Sequence, residues 1–407
     1  MNVNEEEEQQ QPFHRLSPIS GKDEMDKCET YAPHSPPSSF SRVVARPTPP
    51  PSLLVRPQEM AELVDFQNGK VICGRWKVSS QLGAGGCGAV YKVEDLFNKG
   101  FMAAMKVESN DVGNMGVLKL EVQVLAKLKE LPDAFRLYDM GKRKKYSFMV
   151  MSLGGQDLLN LAMKSPKTLS LPTIARIGIM CLSAIKSIHD VGFVHRDVKP
   201  GNFVQGCTTG RLSRLLYLID FGLIRAYMKE GKDGEMKMRK ARTTVALRGT
   251  FRYCSLNTHN RIEQGRVDDL YSLLHVLQAI NRGLPWDGMK DEKEIMKKKA
   301  MDPNIIFKDA PPEFVTIAEY LMTVSTIEKP DYVKVYKLFY EELERNNVNF
   351  LTPYEWETKK NDVNTMVEPS KHERKTFQKD SDEKLQYRIY PQLHPKKFED
   401  AGVQLKC

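Results

Sequence analysis

The stretch "FVHRDVKPGNF", residues 193–203, constrains this chain more than any other. Ahead of it Ile174, Ile177, Ile179, Leu182, Ile185 and Ile188 recur at helical spacing, which predicts a long buried helix. The stretch is itself flanked and interrupted by Phe193, Val194, Val198 and Phe203, yet it carries His195, Arg196, Asp197, Lys199 and Asn202. Polar groups beside a core are costly unless they are paired. The fold must therefore bring partners to them, from other parts of the chain or from a ligand.

Other segments offer such partners. "LGAGGCGAV" sets Gly83, Gly85 and Gly88 in a GxGxxG pattern. A dinucleotide-binding fold needs a helix directly after these glycines, but "AVYKVED" alternates as a strand. The reading is strand, Gly-rich turn, strand over 75–95. It is either an ordinary hairpin or one whose backbone N–H groups lie over phosphates, where no Cβ obstructs the approach. Lys106 sits within the apolar strand "AAMKVES" and needs a carboxylate or a phosphate. Glu121 is the nearest candidate, on a helix predicted over 117–131 by Leu118, Val122, Leu125 and Leu128; Glu108, on the same strand face as Lys106, is its rival. "LYLIDFGLIR" ends an apolar strand at Asp220, and Asp220 with Asn202 supplies hard oxygen donors suited to Mg²⁺.

Gly-rich loop, strand lysine, helix glutamate, H-R-D-x-K-x-x-N and D-F-G, in that order, resemble the protein-kinase signature set. The resemblance implies an α+β bilobal protein kinase fold: an N-lobe of five antiparallel strands plus one helix, a mainly helical C-lobe, and an ATP cleft between them. It assigns residues 70–152 to the N-lobe and 153–350 to the C-lobe of one kinase domain. It implies that Gly83, Gly85 and Gly88 cover the phosphates of ATP, and that Val90 and Ala104 sandwich the adenine. Met151 takes the gatekeeper position and Leu153 the hinge. Lys106 pairs with Glu121, Asp197 orients the substrate hydroxyl and accepts its proton, and Lys199 neutralises the γ-phosphate. Asn202 and Asp220 hold Mg²⁺, His195 packs on Phe221, and Asp269 braces the catalytic loop.

The usual A-P-E motif is missing, and Ser255, Leu256 and Asn257 stand in its place. That stretch resembles the casein kinase one superfamily. "MKVES", "LPWDGMKDEKEIMKKK" and "KPDYVKVYKLFYE" resemble its tau-tubulin kinase branch. The implied activity is that of a serine/threonine protein kinase acting near acidic or phosphorylated residues. A substrate anion site would be formed by Arg252, Lys297 and Arg248, although Lys297 reads equally well as a solvated residue of a lysine run. A catalytically weak kinase-fold scaffold is the alternative, but Lys106, Asp197 and Asp220 are all present.

Charge supports an anionic partner. The chain carries +9, while residues 1–65 hold six Lys/Arg against eleven Asp/Glu; that segment is −5 and the remainder +14. No nucleic-acid motif accompanies this charge, so acidic or phosphorylated protein is the expected partner. The acidic, proline-rich 1–65 segment reads as a disordered tail, with a docking peptide as the alternative. Residues 351–407 read as a polar C-terminal tail that wraps or frays. Seven scattered cysteines without CxxC spacing read as free thiols of a reducing compartment, Cys87 at the loop tip being either reactive or a spectator. No membrane span or signal peptide is read, and a cytoplasmic (or also nuclear) monomer is expected.

Overall fold

The computed structural model describes residues 65–85, 88–110, 117–131, 134–165, 168–206, 211–232, 234–357 and 382–399. The acidic tail, except Asp65, and Cys87 lie outside them. The first lobe is an antiparallel sheet of β1 (Val71–Ile72), β2 (Trp76–Gly85), β3 (Gly88–Asp95), β4 (Met102–Ser109), β5 (Leu137–Lys142) and β6 (Tyr146–Ser152). The strand order is β1-β2-β3-β4-β6-β5. This is one strand more than the resemblance implied, because the two-residue β1 pairs onto β2. Alternation along β3 buries Ala89, Tyr91, Val93 and Asp95 and leaves the residues between them partly exposed. Trp76, Tyr91, Met105 and Phe148 fill the core of this lobe.

Helix α1 (Val117–Leu128) buries the predicted stripe of Leu118, Val122, Leu125 and Leu128. That stripe joins the second lobe's core and not the sheet's. It packs beside the 3₁₀ turn at Phe221–Leu223. A glutamate on α1 is thereby carried to the boundary between the lobes.

The second lobe holds α2 (Leu158–Lys164), α3 (Leu171–Asp190), β7 (Phe193–Val194), β8 (Phe203–Gln205), β9 (Leu216–Leu218), β10 (Arg225–Ala226), β11 (Met228–Glu230), β12 (Met236–Met238) and α4 (Leu256–His259). α5 (Arg266–Asn281), α6 (Glu292–Lys299), α7 (Pro303–Ile306), α8 (Glu313–Met322), α9 (Tyr332–Arg345) and α10 (Asp382–Ile389) follow. α3 begins with Ser170 accepting from the Thr173 N–H and Pro172 in its first turn. It is long and apolar enough to cross a membrane, but 72% of that window is buried against the protein, so it serves as the core helix. α5 and α9 pack on it. The core continues past residue 350 through Phe350, Tyr354, Ile389, Tyr390, Leu393 and Phe398. Arg214 donates to both carboxylate oxygens of Glu357 (2.8 and 3.1 Å), and the Arg176 and Arg214 guanidinia lie 4.1 and 4.8 Å from the Tyr354 ring.

Candidate active site

Strand register decides what faces the cleft. Gly83 pairs with Val90, Val90 with Lys106, and Ala104 with Met151. Ala104 and Lys106 alternate onto one face of β4, so Val90, Ala104, Lys106 and Met151 share it. Leu153 follows directly after β6. Gly83 and Gly85 end β2 and Gly88 opens β3, closing the hairpin over this face. Gly88 is at φ +106°, and a Cβ there would lie 2.1 Å from the Val107 carbonyl oxygen. Only glycine fits that position.

Lys106 is 6% exposed and donates to Glu121 Oε1 at 2.6 Å and to Asp220 Oδ1 at 3.3 Å. Glu108 instead accepts from the Leu118 N–H (3.0 Å) and caps the start of α1. Of the two carboxylates the sequence left open, Glu121 is the partner. Burial pushes the Glu121 carboxyl up to about 7, against the pull of Lys106. Asp220 sits at φ 63°, a left-handed conformation uncommon for aspartate. Burial is the largest influence and works against its charge, but Lys106, with Lys199 and His195, outweighs it and holds the carboxyl below the usual range.

Across the cleft, Asp197 Oδ2 receives Lys199 Nζ (2.5 Å) and Asp197 Oδ1 receives Thr250 Oγ1 (2.8 Å). Asn202 Nδ2 donates to the Asp197 carbonyl (2.9 Å). The Asn202 amide nitrogen is thus committed, and its carbonyl oxygen is the atom it can offer a cation. Asn202 and Asp220 therefore fit a divalent metal through hard oxygens. Among the described residues no group of three His, Cys, Asp or Glu would form an all-protein cage. Two protein oxygens suit a cation that keeps waters and nucleotide phosphates as its other ligands.

The loop rests on α5. Asp269 accepts from the His195 N–H (2.7 Å), the Arg196 N–H (2.9 Å) and the His189 ring (2.8 Å). Burial is the largest influence and raises the Asp269 carboxyl, but the His189 hydrogen bond and charge together with His195 outweigh it, so the net shift is downward. These bonds hold Arg196 at φ 68°. The His195 ring meets Phe221 edge-on at 5.8 Å and its Nε2 lies 3.1 Å from the Ile219 carbonyl oxygen. Two participants were not singled out from the sequence: Thr250 and His189. A threonine after a glycine, or a histidine at the end of an apolar helix, has no local signature. Each reaches the catalytic loop through a partner 53 or 80 residues away.

The three expected anion-site residues have different neighbours. Arg252 forms a bidentate pair with Asp287 (2.7 and 2.8 Å). Lys297 is exposed on α6. Arg248 lies close enough to Arg196 to act on its charge. The S-L-N segment closes on α5: Ser255 Oγ and Asn257 Nδ2 both donate to Asp268 Oδ1 (2.6 and 3.1 Å), and the Gly265 N–H donates to Asp268 Oδ2 (2.7 Å). Asp268 thus anchors the end of the segment that lacks A-P-E.

The protein kinase domain family matches residues 76–379, and the chain belongs to it. Among its relatives, a Caenorhabditis elegans protein is 40% identical over 296 residues, covering 72% of this chain and 84% of its own. A Dictyostelium discoideum protein is 35% identical over 302 residues, 73% of this chain and 59% of its own. The names of both propose serine/threonine-protein kinase activity.

Proposed function

We propose that this protein kinase transfers the γ-phosphate of ATP to serine or threonine of protein substrates, with Mg²⁺ as the divalent ion, and that it favours sites near acidic or phosphorylated residues. One observation carries the reading: Lys106 joins Glu121 and Asp220 across the lobes, the arrangement that phosphoryl transfer by a kinase requires. When bound, Mg²⁺-ATP supplies the phosphoryl group and the charge on it. Lys106 and the Gly-rich hairpin orient the phosphates, Asp197 accepts the hydroxyl proton, Lys199 offsets charge on the transferred group, and Asn202 and Asp220 hold the ion. An intact constellation favours an active enzyme over a scaffold. The names of the two relatives support serine/threonine specificity. The S-L-N segment and the α6 lysines support a casein kinase one-like branch with anionic substrates.

The test is phosphoryl transfer from labelled ATP to acidic, phosphorylated and neutral peptides. Asp197→Asn and Asp220→Asn should each lower turnover on the order of 10²-fold or more, with melting curves close to wild type. A variant retaining more than about a tenth of wild-type turnover would remove the role assigned to that residue.

A further inference from the structure

Between Thr250 and the S-L-N segment, four successive backbone carbonyls are each held by a side chain from α5, α6 or the turn joining them. Lys299, the last residue of α6, donates from Nζ to the Phe251 carbonyl and to the Cys254 carbonyl (both 2.6 Å). Trp286 Nε1, from the turn, donates to the Arg252 carbonyl (2.8 Å). His275, from α5, donates from Nδ1 to the Tyr253 carbonyl (2.9 Å) and also interacts with the Cys254 backbone. The Tyr253 and Cys254 N–H groups return to the Thr250 carbonyl (2.9 and 3.0 Å), so the stretch is a closed turn with Thr250 at its head. The Thr250 hydroxyl donates to the catalytic Asp197.

Lys299 is the group of this set that costs most to bury. It is 7% exposed, and beyond the two carbonyls it meets His259 Nε2 (3.2 Å), Cys254 Sγ (3.6 Å) and the Trp286 ring (5.3 Å), none of them a carboxylate. His259 Nδ1 faces Glu292 (3.1 Å), which draws the ring proton to that nitrogen and leaves Nε2 to accept from Lys299. Burial pushes the Lys299 ammonium down to about 8. A buried charge without an opposite charge is tolerated only where its hydrogen bonds are made. Core packing would be met by a methionine; the position uses the N–H donors. Other bonds hold the ends of the stretch. Gln264 Nε2 donates to the Arg248 carbonyl (3.3 Å), and Ser255 Oγ donates to Asp268 (2.6 Å). Arg252 is tied to Asp287 and Tyr253 by its side chain, and the Cys254 thiol reaches the Phe251 carbonyl at 3.7 Å. The short bonds to the first and last carbonyls of the turn come from Lys299.

We infer that Lys299, aided by Trp286, is a positioning residue: by binding the carbonyls of residues 251–254 it fixes the turn from which Thr250 reaches Asp197, and so orients the carboxylate that receives the substrate proton. The inference rests on the kinase reading above and deepens it. Asp197 Oδ1 takes the Thr250 hydroxyl while Oδ2 faces Lys199. A turn that loses its anchors withdraws the first of these contacts and leaves the carboxylate free to rotate. Lys299 itself bonds to neither Asp197 nor Thr250, so its effect on the reaction passes through the turn.

The experiment is a double-mutant cycle on the full chain with Lys299→Met and Thr250→Ala, read as kcat, KM for ATP and the melting curve. Each single variant should lose about tenfold or more in kcat with KM for ATP nearly unchanged. The double variant should stay within about threefold of the slower single variant, because without the Thr250 hydroxyl the turn has nothing left to position. Backbone amide exchange at Tyr253 and Cys254 should quicken in Lys299→Met and stay at the wild-type rate within α3. Losses that multiply in the double variant overturn the proposal, since Lys299 would then act by a separate route. So does a Lys299→Met enzyme within about twofold of wild type in kcat, and so does unchanged exchange in the turn. If Lys299→Met does not fold, Trp286→Phe, which removes the donor to the Arg252 carbonyl and keeps an aromatic ring, enters the same cycle, and multiplied losses there overturn the proposal equally. A wild type that transfers no phosphate sinks the kinase reading itself, and the exchange measurement then still decides whether Lys299 holds the turn.

Discussion

At the scale of single residues, ionisation of Glu121 couples pH to activity. Its carboxyl titrates near 7 when folded, against an ordinary value of 4.5. Between those values the folded protein holds a proton that the unfolded chain releases, so this group favours folding below 4.5 and that contribution is lost as pH rises through 7. Activity moves the opposite way, because only ionised Glu121 pairs with Lys106. A plot of kcat/KM for ATP against pH should fall on acidification through about 7, and Glu121→Gln should be slower by about tenfold or more and lack that inflection. Glu108→Gln weakens a helix cap, so it should lower stability by about 0.5–1 kcal/mol and spare most of the activity. The reverse ranking would mean that the wrong carboxylate had been paired with Lys106. A second prediction concerns Arg252, whose guanidinium already holds Asp287. If anionic substrates use Arg252, they compete with that carboxylate. Asp287→Ala should lower KM for acidic and phosphorylated peptides by about threefold or more, leaving neutral peptides unchanged. An equal effect on every peptide would take Arg252 out of substrate selection.

At the scale of elements, Asp268 and Asp269 open α5 and hold two different earlier segments of the chain. Asp269 holds the catalytic loop through two backbone N–H groups, while Asp268 holds the S-L-N segment. Removing Asp268 leaves the Ser255 hydroxyl, the Asn257 amide and the Gly265 N–H without this acceptor. Each such loss costs about 1–3 kcal/mol where the group is buried, so Asp268→Ala should lower stability by about 3 kcal/mol or more, read from denaturant unfolding. A loss below about 1 kcal/mol would show that water or another side chain replaces it. The 350–357 stretch is held in a comparable way by Arg214 and Arg176 around Tyr354 and Glu357. Arg214→Ala leaves the Glu357 carboxylate without its cation, holding only the Tyr354 N–H, as well as losing the guanidinium packing, and should cost more stability than Glu357→Gln.

At the scale of the whole molecule, the +14 carried beyond residue 65 bears on the acidic substrates proposed above and not on the fold: net charge acts on association, and the proposal predicts a salt effect. Raising ionic strength should increase KM for acidic peptides several-fold and leave KM for neutral peptides nearly flat, because screening acts on exposed charges. Parallel salt curves for the two peptide classes would mean that this charge has no part in recognition.

Much of the lobe architecture could be read along the chain, because periodicity is a local property. The α1 stripe, the alternation of β3, the buried α3 and the spacing of Lys106, Asp197, Asn202 and Asp220 depend on neighbours a few residues apart. β5 was not legible: "LYDMGK" alternates weakly, and it forms a strand only because β6 offers it an edge. The same holds for pairings that span the chain. Nothing near Lys106 distinguishes Glu108 from Glu121; the packing of α1 on the second lobe does. Nothing near Arg252 announces Asp287. The sequence by itself determined which chemical groups the cleft would contain. Tertiary structure alone decided which charges neutralise one another, since a charge is paired by distance in space, and distance in space is what a linear pattern does not encode.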